Sequence, residues 1–225
     1  MRRPELRTVA AILGGAALSS GCGAGSGSEQ RSTDAARAAA VQVVAEGCRT
    51  TASIGAGSFV ADEKVITVAH VVAGADEVHV VLADGRRADA KVVAIDRKKD
   101  LAILDVDVEV APLPRGSMRP GTKGTFVAYR DGEPAALPFE VTSYLDIDAP
   151  DIDHGGSSVR RGYQLRADVE QGDSGSVLVT DGVATGVVFA RSTASGGKAW
   201  AVDIHEADVL LARADDTAAD VGGCV

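Results

Sequence analysis

Gln171-Gly172-Asp173-Ser174-Gly175-Ser176 sets a serine inside a glycine-flanked turn, directly before the apolar run Val177-Leu178-Val179. A serine hydroxyl is a weak nucleophile at neutral pH. It needs a base within hydrogen-bond reach and a third group that orients the base. It also needs backbone N–H donors aimed at the oxyanion that develops on the attacked carbonyl. Two upstream segments offer the missing groups. Gly57-Ser58-Phe59-Val60 and Val65-Ile66-Thr67-Val68-Ala69-His70-Val71-Val72 read as two hairpin strands that deliver a histidine. Asp100-Leu101-Ala102-Ile103-Leu104 carries an aspartate ahead of another apolar run. A lone Gly-x-Ser-Gly is common by chance, and a lone histidine after a strand is usually structural. Three such segments in the order His, Asp, Ser are a far tighter constraint.

The surrounding sequence is strand-like. Val, Leu, Ile and Ala dominate its apolar residues and aromatics are only 4%, a balance in which the β-branched residues favour sheet. Asp84-Gly85, Asp131-Gly132 and Asp181-Gly182 each stand between apolar segments, as hairpin turns needing positive φ would. Short strands at this spacing point to a sandwich or barrel rather than βαβ units. Residues 35–46 are ambiguous between a short helix and an entering strand. His205 to Arg213 reads as a C-terminal helix, and Asp146 to Arg161, acidic and then basic, as an exposed loop.

On these three segments the chain resembles the chymotrypsin superfamily of trypsin-like serine proteases. It is most similar to its bacterial periplasmic members related to the HtrA proteases. Over Arg166 to Gly175 it looks most like the actinobacterial acid-resistance periplasmic serine proteases. The resemblance runs from about Val41 to Ala212. It implies an all-β fold of two six-stranded antiparallel barrels, residues 41–115 and 120–204, with the site in the cleft between them and a short C-terminal helix. The first barrel would supply His70 and Asp100, and the second Ser174. By the same resemblance Ser174 attacks, His70 accepts and returns the proton, and Asp100 fixes the imidazole. The N–H groups of Gly172 and Ser174 would form the oxyanion hole. A glycine at 172 suits that task, because it has no Cβ beside the substrate.

The sequence also departs from the family. Ser176 replaces the second glycine after the nucleophile, and Val177 the usual proline. Ala190-Arg191, after Phe189, replaces a Trp-Gly in the strand that pairs with substrate, so Phe189, Ala190 and Arg191 are the candidate substrate-binding residues. Asp168 joins them, lying six residues before Ser174, where trypsin carries the acid that recognises Lys or Arg. The alternative is a turn-capping role in a branch with different loop lengths. In trypsin-like zymogens the residue equivalent to Asp173 pairs with a freshly cut N-terminus. No Ile-Val-Gly-Gly activation sequence precedes the domain, so maturation by that route is not expected.

Composition and termini bound the setting. A net charge of −9 argues against nucleic acid, which needs a basic face. Arg2, Arg3 and Arg7 precede an apolar run from Val9 to Leu18 and small residues to Gly21, the pattern of an export signal. Leu18-Ser19-Ser20-Gly21-Cys22 resembles a bacterial lipobox, although its Leu lies one residue too early. Residues 1–21 are therefore read as a lipoprotein-type signal, Cys22 as the acylated residue and 22–34 as a flexible tether. Residues 35–225 form the protease domain. Of the three cysteines, Cys48 and Cys224 remain to pair in an oxidising compartment, as a near-terminal pair does in the family. Asp151, Asp153 and His154 lack a metal-ligand framework, and neither a metal nor a cofactor is expected.

The resulting expectation is an exported, lipid-anchored serine endopeptidase on the outer face of the cytoplasmic membrane. It would be monomeric, with protein or peptide substrates. The alternative is a weak or inactive protease-like binding module, made thinkable by Ser176 and Val177. A third reading, an HtrA-type quality-control factor, is disfavoured because only about 50 residues follow Ser174, too few for a PDZ module.

Overall fold

Alternating burial drives the chain into strands. Val41 and Val43 are wholly buried while Gln42 and Val44 are only partly so, the period-two pattern of a strand covering a core on one face. The computed structural model describes residues 24–47, 50–194 and 196–225. Strands β1 (Ala40–Glu46), β2 (Ser53–Ala61), β3 (Lys64–Thr67), β4 (Glu77–Leu82), β5 (Arg87–Asp96) and β6 (Leu101–Asp105) close one barrel. Their order around it is β1-β2-β3-β6-β5-β4. Strands β7 (Lys123–Arg130), β8 (Glu133–Pro150), β9 (Ser157–Ala167), β10 (Val177–Thr180), β11 (Val183–Arg191) and β12 (Lys198–Asp203) close the second. All strand pairs are antiparallel. The expected two-barrel, all-β fold is the fold observed.

Turn chemistry explains much of this register. Asp131 and Gly132 both have positive φ, as do Asp181 and Gly182, the geometry that two-residue hairpins with right-handed twist demand. The Asp84-Gly85 turn differs. Only Gly85 has positive φ there, and the Leu82 N–H reaches the Arg86 carbonyl at 2.8 Å to close a longer loop.

Three expectations give way to the structure. Residues 24–34, read as flexible tether, belong to helix α1 (Ala24–Ala39). It docks because Ala36 and Ala39 are buried and Ser32 Oγ accepts from the Gly182 N–H of the β10–β11 turn at 2.8 Å. Helix thus claims residues 35–39 and strand claims 40–46. Asp146 to Arg161 is not an exposed loop but the outer half of the β8–β9 hairpin. Its acidic and basic arms pair across the strands, with Asp146 opposite Arg161 and joined to it at 3.0 Å, as opposite charges on facing positions favour. The C-terminal helix is shorter than His205–Arg213. It is a 3-10 turn, Ile204–Ala207, followed by one helical turn, Asp208–Leu211. The remaining tail lies along the first barrel, where the Ala219 N–H donates to the Val92 carbonyl at 2.8 Å.

Candidate active site

β3 ends at Thr67, and after one residue, Val68, the short helix α2 (Ala69–Val72) begins, so His70 is presented at the rim of the first barrel. Asp100 directly precedes β6 with φ of 57°, a conformation that a short polar residue tolerates better than most. Its carboxylate is 3% exposed. Oδ1 accepts from the His70 backbone N–H and Oδ2 faces His70 Nδ1, both at 2.9 Å. One carboxylate therefore holds both the backbone and the ring of His70.

Ser174 comes from the loop between β9 and β10. That loop is pressed onto the first barrel, where the Ala56 N–H donates to the Ser174 carbonyl at 2.8 Å. Gly175, with φ of 93°, makes the approach possible. A Cβ there would lie 2.0 Å from the Ala56 carbonyl oxygen. Gly172 also has positive φ, 98°. Among the described residues, neither the Gly172 nor the Ser174 N–H is engaged by a protein acceptor.

A cavity of about 550 Å³ is lined by His70 from the first barrel and by Gly172 and Ser174 from the second, with Tyr129 and Ile54 also on it. A second cavity, about 290 Å³, opens beside Ser174 between Val169–Gln171 and Phe189–Arg191. Phe189, Ala190 and Arg191 line this cavity together with Ser174. Asp168 does not. It lines a separate surface cavity with Lys123, Phe139 and Arg166, so its position gives no support to recognition of a basic side chain.

Two arginines escaped the sequence reading. Arg130, at the end of β7, forms a forked ion pair with Asp173, whose side chain is wholly buried; Nη2 meets Oδ2 at 2.7 Å. The hydrogen bonds to Asp173 hold the Arg130 pKa above its ordinary value. Arg160, in β9, lies against Asp100. Neither arginine carries a local signal, because each partner lies far along the chain. Cys224 is disulfide-bonded. Cys48 and Cys22 lie outside the described residues.

A serine loop from one barrel set against a His–Asp pair from another is the architecture of trypsin-like proteases. The chain belongs to that family: the profile described as "Trypsin-like peptidase domain" matches residues 55–190. It is 33% identical over 178 residues to "Serine protease Rv3671c" of Mycobacterium tuberculosis, a match covering 76% of this chain and 45% of that one. The chain therefore spans about half the length of this curated relative. The crystal structure of the Rv3671c protease in its active form superposes with a TM-score of 0.79 at 29% identity, covering 86% of this chain and 88% of that one. The inactive form gives 0.69 at 29% identity, covering 82% and 92%. No helix among the described residues is long and apolar enough to cross a membrane.

Proposed function

We propose that this chain is an exported serine endopeptidase that hydrolyses peptide bonds through an acyl-enzyme. The observation that carries the reading is that a carboxylate-oriented His70 and Ser174 line one cavity. Ser174 Oγ attacks the scissile carbonyl while His70 Nε2 takes its proton. Asp100 holds the ring in the tautomer that leaves Nε2 free to do so. The Gly172 and Ser174 amides, which have no protein acceptor among the described residues, are the donors for the oxyanion. His70 then returns the proton to the leaving amine, and water resolves the ester by the same steps in reverse. Membership in the trypsin-like peptidase family and the likeness to a relative named as a serine protease favour an enzyme over a binding module.

The setting completes the proposal. Acylation at Cys22 would anchor the protein to the outer face of the cytoplasmic membrane, because several acyl chains together give lasting attachment. Cys48 is the partner assigned to Cys224, and substrates are proteins or peptides met outside the cytoplasm by a monomer.

A fluorophosphonate probe tests the core claim, since an activated serine attacks its phosphorus, expels fluoride and is phosphonylated. The wild-type protein should label. Ser174→Ala should not, and His70→Ala should lose at least about 1000-fold in peptide turnover, as removal of a triad member does. Wild-type protein that resists the probe at every pH would instead be a binding module.

A further inference from the structure

Arg160 is 2% exposed and sits where the second barrel meets the turn that carries Asp100. Its Nε donates to the Lys98 carbonyl at 2.9 Å and its Nη2 to the Pro150 carbonyl at 3.1 Å. Nη1 lies 3.5 Å from Asp100 Oδ2, the same oxygen that faces His70 Nδ1. The guanidinium also lies over the Phe189 ring, 4.8 Å from its centroid. One side chain from the second barrel therefore grips the first barrel at the carboxylate that orients His70. Arginine keeps its charge even when buried, and among the described residues it is the one permanent cation paired with Asp100, His70 being the other partner.

A carboxylate shared between two cations serves each less well than it would serve either alone. The positive charge beside Oδ2 offsets part of the negative potential at the imidazole. Without that charge the carboxylate would act on the imidazole alone. We propose that Arg160 is a positioning residue of the reaction centre, which holds Asp100 across the barrel junction and tempers the field of its carboxylate at the His70 ring. Its role in turnover rests on the protease reading, whereas its effect on the His70 ring does not.

Other charges face the same space. Asp96 and Asp151 act on Arg160, and Asp151 and His154 line the 360 Å³ cavity that His70, Asp100 and Arg160 share. On the adjoining turn, Lys99 pairs with Glu206 and Arg97 with Asp153. None of these cations pairs with Asp100.

The test compares Arg160→Gln, which removes the charge, with Arg160→Lys, which keeps the charge but loses the fork. Two readouts are needed: kcat/KM against pH with a peptide substrate, and NMR titration of the His70 ring in a Ser174→Ala background. At an effective dielectric near that of protein interiors, R160Q should raise both midpoints by about one pH unit. R160K should leave both midpoints within about 0.3 pH unit of wild type, while lowering kcat more than it changes KM. The ring signals of His79 and His205, held by Arg87 and Asp208, report whether the fold is intact. Unmoved His70 in a folded R160Q would overturn the proposal and leave Arg160 a structural residue. If R160Q does not fold, R160K decides, and a midpoint displaced by a full unit would overturn it. Should the wild type cleave nothing while the His70 midpoint moves as stated, the protease reading fails and the inference about Arg160 stands.

Discussion

Ser176 occupies the position where relatives place a second glycine, and its side chain has somewhere to go. It is 1% exposed, and its Oγ donates to the Val127 carbonyl of β7 at 2.9 Å. The neighbouring Val177, also buried, opens β10 opposite Val187, a place where a branched apolar residue packs well. The departures that cast doubt on activity are thus accommodated in the second barrel, away from the nucleophile's attacking face. Ser176→Gly should label with a fluorophosphonate at a rate within about two-fold of wild type. It should lose about 1 kcal/mol of stability to urea, the ordinary worth of a buried hydrogen bond. A large gain in labelling would mean that Ser176 does obstruct the site. At this scale the sequence was informative where chemistry is local. His70, Asp100 and Ser174 carry their own flanking signatures, whereas Arg130 and Arg160 matter only through partners far along the chain, Asp173 and Asp100.

The loop between β9 and β10 is an element whose shape depends on that distant pairing. Asp173 Oδ2 accepts from the Glu170 N–H at 2.7 Å while the carboxylate is forked with Arg130. The turn that presents the Gly172 and Ser174 amides is therefore tied down from within. In zymogens of the resembling family a new N-terminus supplies the countercharge. Here β7 supplies it, so the full chain should label without any cut near residue 50, as intact mass before and after labelling would verify. Arg130→Met leaves a wholly buried carboxylate unpaired and should cost about 3 kcal/mol in denaturant unfolding. It should also slow labelling by about 100-fold, in line with loss of an oxyanion donor. Labelling at the wild-type rate would show that the loop holds its shape without the pair. The sequence made the strands and two of its three Asp-Gly turns legible because these are local patterns. It misread the β8–β9 hairpin because cross-strand charge pairing becomes visible only once the register is known. Helix α1 was missed for a related reason: its Gly/Ser-rich start reads as flexible, and docking on the second barrel is a tertiary effect.

The two barrels are joined in several places, and one joint is titratable. Tyr129, at the end of β7, directs its hydroxyl to the Ala40 and Val81 carbonyls of the first barrel at 3.1 and 3.3 Å. Burial, the largest cause, pushes its phenol up to about 12. An unfolded tyrosine titrates near 10. The native state therefore favours the neutral phenol, and this contribution to stability is fully present below about pH 10. It is lost as pH rises through about 12, because the phenolate can no longer donate to either carbonyl. Burial raises the Tyr163 phenol in the same sense, and Lys64, whose ammonium is favoured chiefly by its hydrogen bond to Asp105, adds to the alkaline loss. Thermal unfolding of the wild type should thus be nearly flat from pH 8 to about 10 and decline steeply between about 10 and 12. Tyr129→Phe isolates one contribution from this sum. It should be less stable than wild type at pH 8 by about 1 kcal/mol, for the lost hydrogen bond. Above about pH 10 the gap should narrow, because the variant has no phenol at 129 to ionise. A gap that stays constant across that window would place the alkaline transition in the other groups and leave Tyr129 a bystander at the barrel junction.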